Sequence, residues 1–199
     1  MRKMHEHYYT DKPKSKTKYG VIETTLRGKS FKFLTASGVF SYKKIDRGTA
    51  ILAEKMIIDD DARVLDLGCG YGVLGIVAAR AGRNVKPVLT EINSRAAMLA
   101  EENLTMNNIV AEVRKGSFYD PVARERFDTI LCNLPMSAGL ETAYKIIKGA
   151  YEHLNNEGSL QVVVRRGSKR IEKKMLDVYD NVVILARKGG YRVFISYRK

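Results

Sequence analysis

The stretch Val64-Leu65-Asp66-Leu67-Gly68-Cys69-Gly70-Tyr71-Gly72-Val73-Leu74-Gly75 decides the fold of this 199-residue chain. An apolar strand runs directly into a glycine-rich turn, and a helix-forming run follows at once. Glycines at 68, 70 and 72 remove side chains that would hold a ligand away from the backbone, and they permit the positive φ of a tight strand-to-helix turn. The segment predicts a nucleotide cradle; a plain tight turn capped by Asp66 is the structural alternative.

The charges around this turn favour one class of ligand. Asp66 precedes the first glycine by two residues, where a carboxylate would repel a pyrophosphate but attract an amino-acid ammonium and a sulfonium. Glu91 ends the apolar run 85–90, where a carboxylate can accept both ribose hydroxyls. We therefore expect S-adenosylmethionine in this cradle, and a dinucleotide site remains the alternative.

Length and composition describe a single domain with a small appendage. Apolar residues make up 45% of the chain, and no run approaches the roughly 20 apolar residues of a membrane span. A signal-peptide pattern is missing too, so the sequence predicts a soluble, cytoplasmic protein. Cys69 and Cys132 lack the company of metal ligands and are expected to be small buried residues. No metal is expected, and His5, His7 and His153 are interpreted as surface residues.

The net charge of +13 is unevenly distributed. Residues 48–164 carry 12 Lys/Arg and 15 Asp/Glu, whereas the two flanks together carry 23 Lys/Arg and 7 Asp/Glu. Basic segments around a slightly acidic centre favour a polyanionic partner such as RNA. A solvated basic surface kept for solubility is the alternative.

The chain divides into a basic arm (1–20), a hairpin-and-helix appendage (21–58) and a main domain (59–199). The hairpin is predicted at 21–26 and 31–35, and the helix from residue 47 or 49 to 56. From residue 63 onward strand and helix patterns alternate, which is typical of a parallel sheet with helices on both faces. Strands are predicted at 63–67, 85–91, 110–115, 127–132, 159–165, 181–187 and 191–197.

Helices are predicted at 72–82, 93–107, 140–154 and 168–179. Asn93 and Ser168 are the expected N-caps, and the third of these helices is expected to end at residues 153–156, before Gly158. Lys188-Gly189-Gly190-Tyr191 predicts a tight turn, so the last two strands should form an antiparallel hairpin at one edge. The expected fold is α/β, with a seven-stranded sheet whose last strand is antiparallel.

Several motifs together resemble the class I S-adenosylmethionine-dependent methyltransferases with a small methyltransferase domain. These are Ser37-Gly38-Val39-Phe40-Ser41, Asp46-Arg47-Gly48-Thr49, the glycine loop, Glu91-Ile92-Asn93 and Asn133-Leu134-Pro135-Met136. The first two point to the branch that methylates a guanine nitrogen in small-subunit ribosomal RNA. The resemblance implies a Rossmann-like sheet, an RNA substrate and a monomer.

The resemblance implies catalysis at Asn133, Leu134 and Pro135. In relatives this motif reads N-P-P-aromatic, and the Asn side chain and the next carbonyl accept hydrogen bonds from an exocyclic amine. Positioning of this kind can supply about 7–11 kcal/mol of a barrier. A strand-ending turn without a catalytic role is the alternative.

Three positions depart from the family pattern. Leu134 replaces the first proline, and Met136 replaces the aromatic residue that stacks on the base, so Phe40 or Tyr71 would have to take over. Ser117 replaces an aspartate that meets the adenine amine, with Phe118 expected against the adenine ring; both could instead be loop and core. The implied cofactor-binding residues are Asp46, Thr49, Asp66, Gly68, Cys69, Gly70, Glu91, Ile92, Ser117, Phe118 and Asn133.

Asp46 and Thr49 are placed beside the methionine moiety by resemblance, and capping of the following helix is their alternative role. The implied substrate-binding residues are Phe40, Met136, Arg165, Arg166, Lys169 and Arg170. The basic residues among them follow the fifth strand of the main sheet at its carboxyl end, where open α/β sheets bind ligands. Each could also be a solvated side chain.

Three other functions stay open at this point. A protein glutamine side chain presents a similar amine, although the basic flanks argue against a protein substrate. An RNA-binding assembly factor without catalysis would be consistent with Leu134 and Met136. A nicotinamide oxidoreductase is the most distant alternative.

Overall fold

We describe residues 17–199 of a computed structural model. The first sixteen residues of the predicted basic arm, with His5 and His7, lie outside the described residues. Nine strands and five helices form a two-stranded hairpin and a seven-stranded sheet. The predicted α/β fold is confirmed, and the family resemblance that implied it is tested below against known proteins.

The hairpin pairs β1 (Tyr19–Leu26) with β2 (Lys29–Ala36). The main sheet has the order β5-β4-β3-β6-β7-β9-β8. Its first five strands are parallel, whereas β9 is antiparallel to both of its neighbours. The bounds of these seven strands are β3 (Arg63–Leu67), β4 (Lys86–Glu91), β5 (Glu112–Lys115), β6 (Phe127–Asn133), β7 (Leu154–Val164), β8 (Val183–Lys188) and β9 (Tyr191–Tyr197).

Apolar side chains alternate along the strands and build one core on each face of the main sheet. The hairpin, α1 (Arg47–Lys55), α2 (Val73–Ala79) and α3 (Ser94–Met106) contribute to one core. The other core is covered by α4 (Leu140–Glu152) and α5 (Ser168–Tyr179). Both cores stop at the carboxyl ends of the parallel strands, where the connecting loops begin.

Two asparagines of α3 attach the hairpin to the main sheet. Asn103 accepts a hydrogen bond from the Leu34 amide at 2.6 Å and donates to the Leu34 and Tyr71 carbonyls at 2.9 Å. One turn later, Asn107 donates to the Lys32 carbonyl at 2.7 Å and accepts from its amide at 3.2 Å. The side chains therefore satisfy the outer edge of β2 as a neighbouring strand would. The loop that follows β2 is thereby held over the end of the main sheet.

Two predicted helix ends are wrong. The N-cap of α5 is Gly167, at φ +69°, and Ser168 is the first helical residue. A glycine precedes this helix because an L-residue at that φ would be strained. The helix predicted at 140–154 ends at Glu152, and Leu154 already pairs with Phe127 in the sheet. That pairing is long-range, so the local helical pattern could not reveal it. Asn93 caps α3 as predicted, accepting from the Arg95 and Ala96 amides at 3.1 Å.

Every helix within residues 17–199 is too short or too polar to cross a bilayer. In the same range, no three His, Cys, Asp or Glu side chains converge in a way that could hold a metal ion.

Candidate active site

A cavity of about 530 Å³ opens at the carboxyl edge of the parallel strands. This is the edge at which open α/β sheets bind ligands, and the volume suits a ligand of nucleoside size. The walls come from the loops after β2, β3, β4, β5 and β6. Predicted site residues that line it are Phe40, Asp46, Thr49, Asp66, Gly68, Cys69, Gly70, Glu91, Ile92, Ser117, Phe118, Asn133, Leu134, Pro135 and Met136.

The glycines of the loop after β3 have two different roles. Gly68 and Gly70 have φ values of +68° and +58°, and an added Cβ would meet no described protein atom within 4 Å. Their open side faces the cavity and leaves the backbone accessible to a ligand. Gly72, at φ +93°, would place a Cβ 3.3 Å from Leu89, and Gly75 would place one 2.9 Å from the same side chain. The expectation that Gly72 also clears space for the ligand is therefore wrong, because it packs against β4.

Two buried carboxylates lie beneath this loop. Asp66 is 1% exposed and accepts a hydrogen bond from the Gly75 amide at 2.7 Å. Burial, helped by the charge of Glu91, raises the pKa of Asp66 to about 7, although the Gly75 amide opposes the rise. Glu91 accepts from the Gly70 and Asn93 amides at 2.8 Å, and burial raises its pKa as well. Among residues 17–199 neither carboxylate has an ion-pair partner, so a cationic ligand would stabilise their ionised forms.

Both cysteines are buried and unbridged, as predicted. Burial raises the pKa of the Cys69 thiol and of the Cys132 thiol, and the charge of Asp66 adds to both shifts. A thiol of raised pKa stays protonated and is a poor nucleophile. The two side chains therefore contribute packing to the wall of the cavity.

Asn133, the last residue of β6, is held by the loop before α1. Its Nδ2 donates to Asp46 Oδ2 at 3.0 Å and to Thr49 Oγ1 at 2.9 Å. Both amide hydrogens are thus directed to one side, so Oδ1 faces the other side as an acceptor. Asp46 Oδ2 also accepts from the Thr49 amide at 2.9 Å and caps α1. The capping role considered for Asp46 is therefore present together with a contact to the strand end.

The backbone after Asn133 turns sharply. The Leu134 carbonyl accepts a hydrogen bond from the Met136 amide at 2.8 Å across Pro135, whose φ and ψ are −76° and +72°. This is an inverse γ-turn. One lone pair of the Leu134 carbonyl is used by the turn, and a second remains for a ligand N–H.

Two exposed aromatic rings line opposite loops of the cavity. Phe40 follows β2 and is 45% exposed, and Phe118 follows β5 and is 36% exposed. Phe118 has a φ of +43°, an uncommon conformation for a bulky residue outside helices and strands. Tyr71 also lines the cavity but is 4% exposed and packs edge-on against Phe33 at 6.0 Å. Of the two rings considered as substitutes for Met136, Phe40 is the accessible one.

Four predicted substrate-binding residues do not line the cavity. Arg165, Arg166, Lys169 and Arg170 are exposed and follow β7, beside the opening. The turn between β8 and β9 lies at the same edge, and Gly189 of this turn contacts the Arg47 guanidinium. Together these cations form a basic rim: Arg47, Arg165, Arg166, Lys169, Arg170, Arg187, Lys188 and Arg192.

The sequence analysis missed some lining residues. Asn93, Ala96, Thr142 and Ile146 face the cavity from the beginnings of α3 and α4. Asn93 could have been found, because it adjoins Glu91 and was already predicted to cap a helix. Thr142 and Ile146 belong to an ordinary amphipathic helix, and no local signal distinguishes them from residues of the core.

Comparison with protein families gives a match over residues 30–195 to the family described as "Methyltransferase small domain". Two relatives illustrate the match. YbxB of Bacillus subtilis, described as uncharacterised, is 31% identical over 195 residues, which are 96% of this chain and 97% of YbxB. Ribosomal RNA small subunit methyltransferase C of Hamiltonella defensa is 37% identical over 139 residues, which are 68% of this chain and 41% of that protein.

Among solved structures, the 16S rRNA N2 G1207 methyltransferase RsmC of Thermus thermophilus, in complex with AdoMet and guanosine, superposes with a TM-score of 0.81. The superposition covers 91% of this chain and 51% of that one at 23% identity, which shows a shared fold. The chain thus spans about half of the length of the ribosomal RNA methyltransferases it matches, and nearly all of YbxB.

Proposed function

The chain belongs to the methyltransferase small domain family, and from this premise we propose that it transfers a methyl group from S-adenosylmethionine to an exocyclic base amine of structured RNA. The observation that carries the proposal is the orientation of Asn133. Its amide oxygen is presented at the carboxyl edge of the sheet, in the same cavity as the glycine loop and two buried carboxylates. An amine acceptor and a cationic donor therefore find complementary groups in one cavity.

The cavity fits S-adenosylmethionine in three respects. Gly68 and Gly70 leave the backbone open where a ligand would lie against it. Asp66 and Glu91 supply negative charge for the ammonium and sulfonium, and acceptors for ribose hydroxyls. Phe118 supplies an accessible ring for the adenine, beside the hydroxyl of Ser117. We propose these residues as the cofactor-binding set, together with Cys69 and Ile92, which contribute wall contacts.

The residues around Asn133 prepare the acceptor nitrogen. Asn133 Oδ1 and the remaining lone pair of the Leu134 carbonyl accept the two amine N–H groups, which turns the nitrogen lone pair out of conjugation with the ring. When bound, S-adenosylmethionine supplies a methyl carbon whose bond to sulfur breaks as the bond to nitrogen forms, with the bonding pair remaining on sulfur. The methylated nitrogen then releases its extra proton to water. Pro135 fixes the turn that aims the Leu134 carbonyl.

The basic rim supports RNA as the partner. Its cations lie beside the cavity opening, and phosphate contacts supply most of the sequence-independent affinity for nucleic acids. Guanine in small-subunit ribosomal RNA is the proposed target, because the relatives named above carry that activity in their names. A base inside a helix would have to be flipped out to reach the cavity. Phe40 would then stack on it, with Met136 nearby. Such a substrate places the activity in the cytoplasm, and we keep the prediction of a monomer.

The first experiment compares Asn133→Ala with Asn156→Ala, an asparagine replacement at an exposed position on the other side of the molecule. Tritiated S-adenosylmethionine is incubated with ribosomal RNA and small subunits from cells that lack the gene. We expect Asn133→Ala to lower the rate of transfer by about 10²-fold, the cost of removing one preorganised hydrogen-bonding group. Its affinity for S-adenosylmethionine, measured by calorimetry, should change little, and Asn156→Ala should behave as the wild type.

Mass mapping of the labelled RNA identifies the nucleotide. Unchanged transfer by Asn133→Ala, with the cofactor bound normally, would refute the mechanism. RNA binding by the wild type without any methyl incorporation would favour an assembly factor that lacks catalysis.

A further inference from the structure

The hydrogen bonds between the loop before α1 and the end of β6 suggest a division of labour that the family resemblance did not imply. Asp46 and Thr49 were expected beside the methionine moiety of the cofactor. In the structure their oxygen atoms are engaged by Asn133: Asp46 Oδ2 at 3.0 Å and Thr49 Oγ1 at 2.9 Å. We propose that Asp46 and Thr49 are positioning residues that hold the Asn133 amide in the one orientation that presents its oxygen to the acceptor amine.

The two acceptors select between the two ways in which the amide can face. In the observed orientation both Nδ2 hydrogens are bonded, one of them to a carboxylate, and a bond to an ionised acceptor is the stronger kind. Rotation of the amide by half a turn would bring Oδ1 against the Asp46 carboxylate and lose both bonds. It would also direct Nδ2 hydrogens at the N–H groups of the incoming amine. The proposal rests on the proposed function for this last step, because there the orientation matters for catalysis.

Asp46 and Thr49 are themselves held in place. Asp46 Oδ2 accepts from the Thr49 amide at 2.9 Å, which fixes the carboxylate to the first turn of α1. Gly48, between them, is buried, and a Cβ there would lie 2.9 Å from Asp46 Oδ2 and 2.9 Å from the Tyr191 ring. The sequence Asp46-Arg47-Gly48-Thr49 is thereby explained residue by residue: a capping acceptor, a close approach to β9 and a second acceptor. The motif connects α1 to a strand end more than 80 residues away.

The decisive variant is Thr49→Val, which keeps the shape of the side chain and the amide that Asp46 caps. The rate constant at saturating cofactor and RNA should fall about 3- to 10-fold, the effect of one hydrogen bond. The dissociation constant for S-adenosylmethionine should change less than about twofold, since one net hydrogen bond to the ligand would be worth more. Thr49→Ser should restore the rate. Thr105→Val, at an exposed threonine whose hydroxyl bonds only within α3, is the matched control.

A second variant and a double mutant separate positioning from cofactor binding. Asp46→Asn keeps an efficient capping side chain but replaces the carboxylate by an amide, so it should also lower the rate without weakening cofactor binding. In an Asn133→Ala background, Thr49→Val should have no additional effect on the rate if it acts through Asn133. Loss of cofactor affinity in step with the loss of rate, or an undiminished effect in that background, would overturn the proposal.

A measurement independent of activity keeps this test distinct from that of the proposed function. The side-chain amide of Asn133, followed by NMR of ¹⁵N-labelled protein, should shift and exchange faster with solvent in Thr49→Val but not in Thr105→Val. If the wild type methylates no RNA, the proposed function fails while this result still decides whether Thr49 holds the amide. An amide signal unchanged by Thr49→Val would contradict the proposal. Circular dichroism verifies that each variant is folded.

Discussion

At the scale of single residues, the two acids under the glycine loop are the most unusual groups in the protein. Asp66 is almost completely buried, and its pKa is raised to about 7 because desolvation outweighs its bond to the Gly75 amide. Glu91 shares this environment with two backbone amides. Perturbed pKa values of this kind concentrate at functional sites, where stability is given up for binding.

Replacement of Asp66 by Asn should stabilise the protein at alkaline pH and weaken cofactor binding. Because the folded-state pKa lies above the ordinary value of 3.8, the folded protein holds this proton more tightly than the unfolded chain does. The contribution of Asp66 to stability is therefore fully present below about pH 4 and is lost as the pH rises through 7. Urea unfolding at pH 8 should show a gain of at most about 4 kcal/mol for Asp66→Asn, from 1.36 kcal/mol per pKa unit.

At pH 4 the same pair of proteins should differ little, which serves as the control. An equal stability difference at both pH values would show that the effect does not arise from ionisation. The affinity of the wild type for S-adenosylmethionine should rise with pH through 7, because the ionised carboxylate attracts the cation, and calorimetry of Asp66→Asn should lack this rise.

The two accessible rings are predicted to serve different ligands. Phe40→Ala should raise KM for RNA by about 10-fold, since one base–aromatic stack is worth about 1–3 kcal/mol, and should leave cofactor affinity near the wild-type value. Phe118→Ala should do the reverse. Each variant is the control for the other, and equal effects of both on both ligands would contradict the assignment.

At the scale of elements, the attachment of the hairpin to α3 determines where the loop 37–46 lies. That loop carries Phe40 and Asp46 into the cavity. Its position depends on β2, whose outer edge is satisfied by Asn103 and Asn107 rather than by another strand. The site therefore depends on a contact between a helix and a strand edge outside the main sheet.

Asn103→Ala should lower the free energy of unfolding by about 2–4 kcal/mol, because it leaves the Leu34 amide and the Leu34 and Tyr71 carbonyls without their partner. Urea unfolding measures this loss, and hydrogen exchange should show reduced protection of the Leu34 amide. Glu102→Ala, on the exposed face of the same helix, is the control. If Leu34 kept its full protection in Asn103→Ala, the asparagine would not be what holds the hairpin.

The predictable and unpredictable parts of the structure differ in range. The strand 191–197 and the helix 168–179 were predicted to the residue, because period-two and helical patterns are local. The end of α4 was wrong because Leu154 continues the helical pattern but is claimed by Phe127 in the sheet. The motifs located the cavity, whereas the Asp46–Asn133 bond and the Asn103–Leu34 bonds join residues far apart in the chain. Nothing local to either partner indicates such pairs.

At the scale of the whole molecule, the charges are sorted between the two edges of the main sheet. At the amino edge, cations are paired with acids, as in Arg83–Asp60 at 3.2 Å and Lys199–Asp180 at 2.7 Å. Along the basic rim, Arg192 faces Glu172 at 3.6 Å, and Arg165 lies over the Tyr191 ring at 5.6 Å. A polyanion should therefore approach the edge that carries the cavity.

The double variant Arg166→Ala with Lys169→Ala should weaken RNA binding and reduce the salt dependence of affinity. Loss of two phosphate contacts lowers the slope of log K against log salt by about 1–2. Lys86→Ala with Arg124→Ala removes the same charge from exposed positions at the amino edge and should leave the slope unchanged. Fluorescence anisotropy with labelled RNA over a salt series measures both, and equal slopes for the two double variants would contradict a role for the basic rim.

The position of β9 between β7 and β8 has a consequence for biosynthesis. In the sheet β8 pairs with β9 alone, so residues 183–188 have no strand to join while the ribosome has not yet delivered residues 191–197. The turn that brings Arg187, Lys188 and Arg192 together also forms only at that moment. A growing chain is thus unable to assemble its complete grip on nucleic acid, and it acquires that grip in the last stage of its own translation.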